Sequence, residues 1–156
     1  MEVEAPAVVV LEGVPVELFL ESQDHQHDLI RELVLVDLGV RTAVAELALP
    51  QRVTALIADI LHDYRDVRSQ TRDQALAARE RGEATTTLHV PVRPGLVDAL
   101  RRWLRLVEEA DRCCEDGALL TLPAPSEIRT LRRWYVEAVA NALADPPSQV
   151  PYPTAG

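Results

Sequence analysis

The sequence feature that most constrains the fold is a long stretch of helical periodicity, VPVELFLESQDHQHDLIRELVLVDL, at residues 14–38. At about 100° per residue, the apolar side chains of this stretch share one face, and that face also contains Ser22 and His25. Charged residues, among them Asp24 and Glu32, fall on the opposite face, which is predicted to be solvated. Because buried polar groups need partners, the stretch predicts a helix that packs on other helices across a polar layer.

The rest of the chain predicts three more helices. Pro50 opens a second periodic stretch that ends at a C-cap signal before Gly82, and each of two later periodic stretches follows a short extended segment. The predicted fold class is therefore all-α, a four-helix bundle of long antiparallel helices with two short extended or β crossover segments. The predicted helices span residues 14–38, 50–82, 94–117 and 125–144, and the predicted extended segments span 83–93 and 118–124.

The chain divides into three predicted parts. Residues 1–13 form an N-terminal extended segment, in which Ala7 to Leu11 is a strand candidate, and residues 14–144 form the helical bundle domain. Residues 145–156, rich in proline, are predicted to be a disordered tail. A chain of 156 residues is long enough for one domain with a sizeable core.

Charge and composition exclude several classes of function. The formal net charge of −9 argues against a general nucleic-acid binder, because a polyanion is repelled. The acidic N-terminus has no basic region before its short apolar run, and no window holds about 18 uninterrupted apolar residues, so neither a signal peptide nor a membrane span is predicted. The adjacent pair Cys113 and Cys114 is expected to remain reduced, which predicts a cytoplasmic protein.

All sixteen basic residues are arginine, and four of them form two adjacent pairs, Arg101–Arg102 and Arg132–Arg133. A nucleic-acid surface needs a dominant basic face with exposed aromatic side chains. Here Trp103 falls towards the core, and acidic residues lie near both pairs. The pairs are therefore predicted to lie on a solvated face with salt bridges.

The polar layer is the first candidate site. If the first two helices form an antiparallel hairpin, paired residue numbers sum to about 89, so His25 lies level with Tyr64 and Ser22 lies close to Arg68. Asp111 falls inside the apolar arc of the third helix and needs a partner there. Two interpretations remain open. These five residues either bind a small, anionic ligand between the helices or form a structural network that fixes helix register.

The histidine patch is the second candidate. His27, followed by Asp28, fits the minimal description of a histidine phosphoacceptor on an exposed helical face, and His25 is the other candidate. A solvated surface histidine is the structural alternative for His27. Residues two apart on a helix diverge by about 200°, so the two histidines do not chelate one metal ion. No metal site, cofactor or catalytic residue is predicted, and the chain is not expected to be an enzyme.

Three segments carry a family resemblance: VPVELFLESQDHQHDLIREL at 14–33, LHVPVRPG at 88–95 and LLTLPAPSEIRTLRRWYVEAV at 119–139. Together they resemble a helical region of actinobacterial regulatory proteins that accompanies a histidine-kinase-like ATPase domain of the anti-sigma-factor type. The resemblance covers most of residues 8–144 and implies a regulatory, cytoplasmic, non-catalytic module. The ATP-binding motifs of the accompanying domain are absent, so the resemblance implies no nucleotide site.

These observations predict a non-catalytic regulatory or sensor module, or a protein-interaction module, in bacterial signalling. The run Leu33 to Val36 is apolar around much of its helix, which indicates a second buried surface, such as a homodimer or partner contact. A small ligand between the helices is part of this prediction. The alternative is a four-helix phosphotransfer or phosphoacceptor protein that uses His27 or His25.

Overall fold

The computed structural model describes residues 7–37, 53–117, 119–144 and 149–153. These residues form four helices and three strands. In chain order the elements are β1 (Ala7–Pro15), α1 (Val16–Asp37), α2 (Val53–Glu80), β2 (Thr85–Val92), α3 (Leu96–Glu115), α4 (Ser126–Ala144) and β3 (Gln149–Pro151). The strands form one sheet in the order β2-β1-β3, with β2 antiparallel and β3 parallel to β1.

The prediction of an all-α bundle is wrong, because the fold is mixed α/β. The four helices lie close to their predicted bounds, but the two short β-branched segments at 7–15 and 85–92 pair with each other. An extended segment next to a core must satisfy its backbone hydrogen bonds, and a second extended segment supplies partners on both sides of a register shift. Gly13, with a φ of 70°, lies in the register shift between Leu11 and Val14, where a bulge lets β1 turn into α1.

The sheet packs its inner face on the helices and shares one hydrophobic core with them. Alternate strand residues are buried, which is the period expected when one sheet face is covered. The buried strand residues are Val9, Leu11, Val14, Leu88, Val90 and Val92. Val8, on the outer face, is 44% exposed.

Helices α1 and α2 form the antiparallel hairpin predicted from the sequence. Arg68 of α2 bonds to Gln23 of α1. Arg79, near the C-terminal end of α2, lies beside Glu17, near the N-terminal end of α1. The observed pairs therefore lie a few residues out of the predicted register. Residues 38–52, which connect the two helices, lie outside the described residues.

Residues 145–156 were predicted to be a disordered tail, but residues 149–153 of this segment are ordered against the sheet. Here β3 lies beside β1, and the backbone N–H of Tyr152 donates to the carbonyl of Glu12 at 2.8 Å. The Tyr152 ring meets Trp134 edge-on, with 4.8 Å between ring centroids. The pairing and the ring contact hold this segment on the sheet and on α4.

The second predicted extended segment is not a strand. Residues 119–124, called the strap from here on, run between α3 and α4 and pair with none of the three described strands. None of the four helices in the described ranges is long and apolar enough to cross a membrane.

Candidate functional site

The structure divides the five residues of the predicted polar layer among three places. Ser22 and Tyr64 line a small cavity between the helices. His25 and Asp111 meet beneath the strap, with 4.0 Å between His25 Nε2 and Asp111 Oδ1. Arg68 lies in a groove on the outer side of α1 and α2. The five side chains therefore do not converge on one pocket.

Neutral polar groups line the cavity between the helices, together with apolar side chains and Arg132. The amide of Gln26 donates to the Ser22 hydroxyl at 3.3 Å, and its carbonyl oxygen accepts from the indole N–H of Trp103 at 3.1 Å. The cavity measures about 30 Å³, which is room for about two water molecules at roughly 10–15 Å³ each. Burial raises the pKa of Tyr64 to about 12, against a smaller opposing effect of Arg68. A cavity of this size favours the interpretation of Ser22 and Tyr64 as part of a structural network over that of a ligand site.

Asp111 is the centre of the second cluster. Its side chain is 2% exposed; one carboxylate oxygen accepts from Arg132 at 2.8 Å and the other from the backbone N–H of Ala124 at 3.1 Å. Arg129 Nε lies 3.9 Å from the same carboxylate and donates to the Ala124 carbonyl. The sequence predicted that Asp111 needs a partner, and the structure supplies Arg132 and the strap backbone.

Arg132 corrects a prediction. The pair Arg132–Arg133 was predicted to be solvated, but Arg132 is only 5% exposed. Burial lowers the pKa of the Arg132 guanidinium, and Asp111 opposes that shift. Arg133 is exposed and pairs with Glu108 at 2.8 Å, as predicted for a surface arginine.

Side chains of α1 hold the strap. Glu32 accepts from the backbone N–H groups of Leu120 and Thr121 and from the Thr121 hydroxyl, the last at 3.2 Å. His25 Nε2 donates to the Leu122 carbonyl at 2.7 Å. Glu32 was predicted to face water; it is 9% exposed because the strap covers it. Helix periodicity does not reveal that a connecting segment folds back over the polar face.

The outer side of the strap is apolar. Leu120 is 76% exposed and Leu122 is 79% exposed, and both line a groove of about 690 Å³ against α1. Leu35, 40% exposed, lines the same groove. Charged residues of α1 surround these leucines, namely Glu21, Asp24, Asp28 and Arg31. These leucines and charged residues form the strap face.

The two candidate phosphoacceptors have different environments. His25 is engaged with the strap carbonyl, and its side chain is 12% exposed. His27 is exposed and lines a groove of about 420 Å³ together with Arg65, Arg68 and Arg72. His27 is therefore the more accessible of the two histidines.

The cysteines are free thiols, and both are buried. Burial and nearby carboxylates raise the pKa of the Cys114 thiol to about 12, so the reactive thiolate is suppressed at neutral pH. Among the residues that the structure describes, no group of three or more His, Cys, Asp and Glu side chains is placed to hold a metal ion.

Sequence reasoning missed four residues that organise these clusters: Gln23, Gln26, Glu32 and Arg132. Each is polar and each is 9% exposed or less. The signal for Gln26 was available, since it lies one turn after Ser22 and faces inward with it. Comparison of the chain with family models, curated proteins and solved structures finds no match.

Proposed function

We propose that the chain is a non-catalytic regulatory module that binds a basic, amphipathic helix of a protein partner on the strap face. The observation that carries this proposal is the contrast within the strap. Its backbone is bonded to Glu32, His25 and Asp111, while Leu120 and Leu122 are left more than three-quarters exposed. Side chains with no role in the core are thus held in a defined position.

Preorganisation favours binding at this face. An exposed leucine on an unrestrained loop loses conformational freedom when a partner orders it, which weakens association. The strap has lost much of that freedom already, because four backbone groups between Leu120 and Ala124 are bonded to side chains of α1 and α3. Burying these leucines against a partner therefore gives a larger net gain in binding free energy than burying leucines on an unrestrained loop.

Charge favours a basic partner over a second copy of the chain. Among the residues that line the groove, Glu21, Asp24 and Asp28 are exposed carboxylates, and Arg31 is the one exposed cation. Two copies meeting at this face would bring like charges together, whereas Lys or Arg residues flanking apolar positions would complement them. A helix with leucines one turn apart and basic residues at its edges matches this pattern.

The family resemblance supports the regulatory part of the proposal. The resembling segments 14–33 and 119–139 contain most of α1 and the whole strap, the two parts that form the proposed docking face. A module that accompanies a kinase-like domain in regulatory proteins acts through protein contacts. We propose the same mode of action here, in bacterial signalling.

The test measures binding of a designed peptide by fluorescence anisotropy. The probe is a labelled helical peptide of roughly 15 residues with leucines at i, i+4 and i+7 and flanking arginines. We expect saturable binding that the double variant Leu120→Ser, Leu122→Ser weakens about tenfold or more. Val8→Ser, which changes an exposed valine on the outer sheet face, is the matched control and should leave binding unchanged.

Three outcomes overturn the proposal. The first is equal binding of a peptide in which glutamates replace the arginines, and the second is equal loss of binding in Val8→Ser. The third comes from light scattering: a dimer that dissociates in the Leu120→Ser, Leu122→Ser variant assigns the face to a second copy. That outcome would match the homodimer predicted from the sequence.

We propose histidine phosphorylation as the second candidate function, because His27 is exposed beside three arginines. A phosphoryl group would pass from a small phosphodonor to an imidazole nitrogen of His27, while the donor's leaving group departs with its bonding electron pair and the ring nitrogen loses its proton. The nearby guanidinium groups would neutralise the phosphoryl charge. Incubation with phosphoramidate should give acid-labile phosphate that is lost in His27→Gln and kept in His25→Gln; no labelling of the wild type sinks the idea.

A further inference from the structure

A further pocket, between α3 and α4, is lined by four arginines. It measures about 180 Å³, and its lining residues are Leu104, Glu108, Asp111, Arg112, Arg129, Arg132 and Arg133. In a chain with a formal net charge of −9, a quarter of the sixteen basic residues thus face one pocket. We propose that this pocket binds the phosphate group of a small phosphorylated molecule.

Carboxylates hold the four guanidinium groups in place. Arg132 bonds to Asp111 and Arg133 to Glu108, both at 2.8 Å, and both carboxylates line the pocket. The partners of the other two arginines, Glu109 for Arg112 and Glu115 for Arg129, are not among the lining residues. The lining thus holds four guanidinium groups and two carboxylates, so it is cationic, and ion pairs hold all four guanidinium groups in place.

Arg132 gives an independent indication of a missing acceptor. This side chain is 95% buried, as its 5% exposure shows, and one of its nitrogens bonds to Asp111. Its Nε and Nη1 are buried and have no hydrogen-bond partner within the described residues. Buried donors are nearly always satisfied in folded proteins, and arginine lacks a neutral form in which to relieve the deficit. Arg132 lines this pocket as well as the small cavity between the helices, and an anionic ligand in the pocket would place acceptors beside this guanidinium group.

A phosphate group suits this pocket in charge and in size. Tetrahedral oxyanions accept paired N–H donors from arginine, and several guanidinium groups can share one phosphate. The pocket is smaller than the roughly 300–1,000 Å³ of sites that enclose drug-sized ligands, so it fits an anionic head group and excludes a whole large molecule.

The neighbouring surface has room for the rest of a phosphate ester. Arg129 and Arg133 also line a groove of about 510 Å³ along α4, which contains the partly exposed ring of Trp134 and the hydroxyl groups of Ser126 and Thr130. An organic group attached to the bound phosphate would lie in this groove and contact the indole. The structure therefore favours a phosphate monoester over inorganic phosphate. This site shares no lining residue with the groove of the proposed docking face.

The test is isothermal titration of the whole chain at low ionic strength with inorganic phosphate, glucose 6-phosphate, AMP and, as the uncharged probe, adenosine. We expect saturable binding of the phosphorylated probes, with at least one ester tighter than inorganic phosphate, and no binding of adenosine. Arg133→Gln should weaken ester binding about tenfold or more, since a charge-assisted bond is lost. Arg101→Gln removes an exposed arginine of α3 outside the pocket and is the matched control.

The variants also test whether the fold is intact. Arg133 is exposed, so Arg133→Gln should keep the wild-type circular dichroism spectrum and melting temperature. Equal weakening by Arg133→Gln and Arg101→Gln overturns the proposal, because it shows a general charge effect. The absence of saturable binding of every phosphorylated probe at millimolar concentration overturns it as well. Binding of inorganic phosphate alone contradicts the ester assignment.

Discussion

Two buried polar clusters connect α1 with α3, and they differ in charge and in what they hold. The Gln26 cluster is bonded through neutral groups, since Gln26 bonds to Ser22 on its own helix and to Trp103 on α3. The Asp111 cluster is charged, and its bonds go to the backbone of the strap and to Arg132 of α4. The neutral cluster fixes how two helices face each other, whereas the charged cluster positions a segment that has no secondary structure.

The difference follows from what each segment lacks. Helices α1 and α3 satisfy their own backbone groups, so a few uncharged contacts are enough to set their register. The strap forms no ladder of backbone hydrogen bonds with any other described segment, so side chains accept from its N–H groups. Carboxylates suit that role, because each has two oxygens and makes stronger bonds to N–H donors than a neutral amide does.

The largest expected effect comes from breaking the charged cluster. Asp111→Ala leaves Arg132 buried without its partner and leaves the Ala124 N–H without its acceptor. Removing one member of a buried ion pair costs about 3–5 kcal/mol, so urea unfolding should show a loss of that size. The comparison predicts that this loss exceeds that of any single substitution in the neutral cluster.

A second variant separates the lost bond from the stranded charge. Arg132→Met added to Asp111→Ala removes the unpaired cation, and apolar replacement of both partners should recover much of the loss. If Asp111→Ala costs under about 1 kcal/mol, as a surface substitution does, the charged cluster does not support the strap.

The next largest effect is a pH dependence of stability. It tests whether the surroundings of the neutral Gln26 cluster are shielded from water. Burial raises the pKa of Tyr64, which lines the Gln26 cavity, from 10 to about 12. Below pH 10 both folded and unfolded chains keep this proton, so Tyr64 adds no pH dependence. Between pH 10 and 12 the unfolded chain loses the proton first, so the free energy of unfolding falls as pH rises. A pKa difference of two units between the folded and unfolded chains lowers the free energy of unfolding by at most about 3 kcal/mol.

The control for this effect is Tyr64→Phe. Urea unfolding at pH 9, 10 and 11 should show a steeper loss in the wild type than in the variant. Cys114, whose pKa is also raised to about 12, contributes in the same direction, so both chains should carry Cys114→Ala. Equal slopes for the two chains would show that the layer around Gln26 is open to hydroxide and water.

The helices were predictable from the sequence, whereas the sheet was not. Helical periodicity placed all four helices to within a few residues, because a 3.6-residue pattern persists over their whole length. It did not identify the sheet, since segments 7–15 and 85–92 are short and lie 70 residues apart, and pairing at that separation leaves no local pattern. Segment 83–93 was correctly predicted to be extended.

The candidate site was predictable only in part. The pattern showed that Ser22 and Asp111 are buried, and both are. It could not show that a connecting segment covers Glu32 and receives the bond from His25, because that depends on the path of the chain between α3 and α4. Arg132 was misplaced for a similar reason, since its burial follows from the position of Asp111 on a neighbouring helix.

A smaller effect is expected from the neutral cluster itself. Gln26→Leu keeps the volume of the side chain but leaves the indole N–H of Trp103 without its acceptor. A buried donor left unpaired costs about 1–2 kcal/mol, less than the Asp111 substitution. Urea unfolding gives the value, and Trp103→Phe in the same background should remove most of the penalty. A loss for Gln26→Leu as large as that for Asp111→Ala would break the distinction between the clusters.

The smallest effect on global stability is expected at the α1 end of the strap. Glu32→Gln replaces a carboxylate that accepts from Leu120 and Thr121 with an amide whose NH₂ group faces the same N–H donors. We expect a cost of about 1 kcal/mol, seen mainly as local opening of the strap.

Amide hydrogen exchange distinguishes local opening from a general loss of stability. The Leu120 and Thr121 amides should exchange about fivefold faster in Glu32→Gln, since 1 kcal/mol corresponds to that factor, while amides within α3 and α4 change little. Thr121→Val removes only the hydroxyl contact to Glu32 and should leave these amides protected. A uniform increase across all helices would mean that Glu32 supports the whole fold. A local increase would show that Glu32 helps to keep the strap, and the exposed leucines on it, in position.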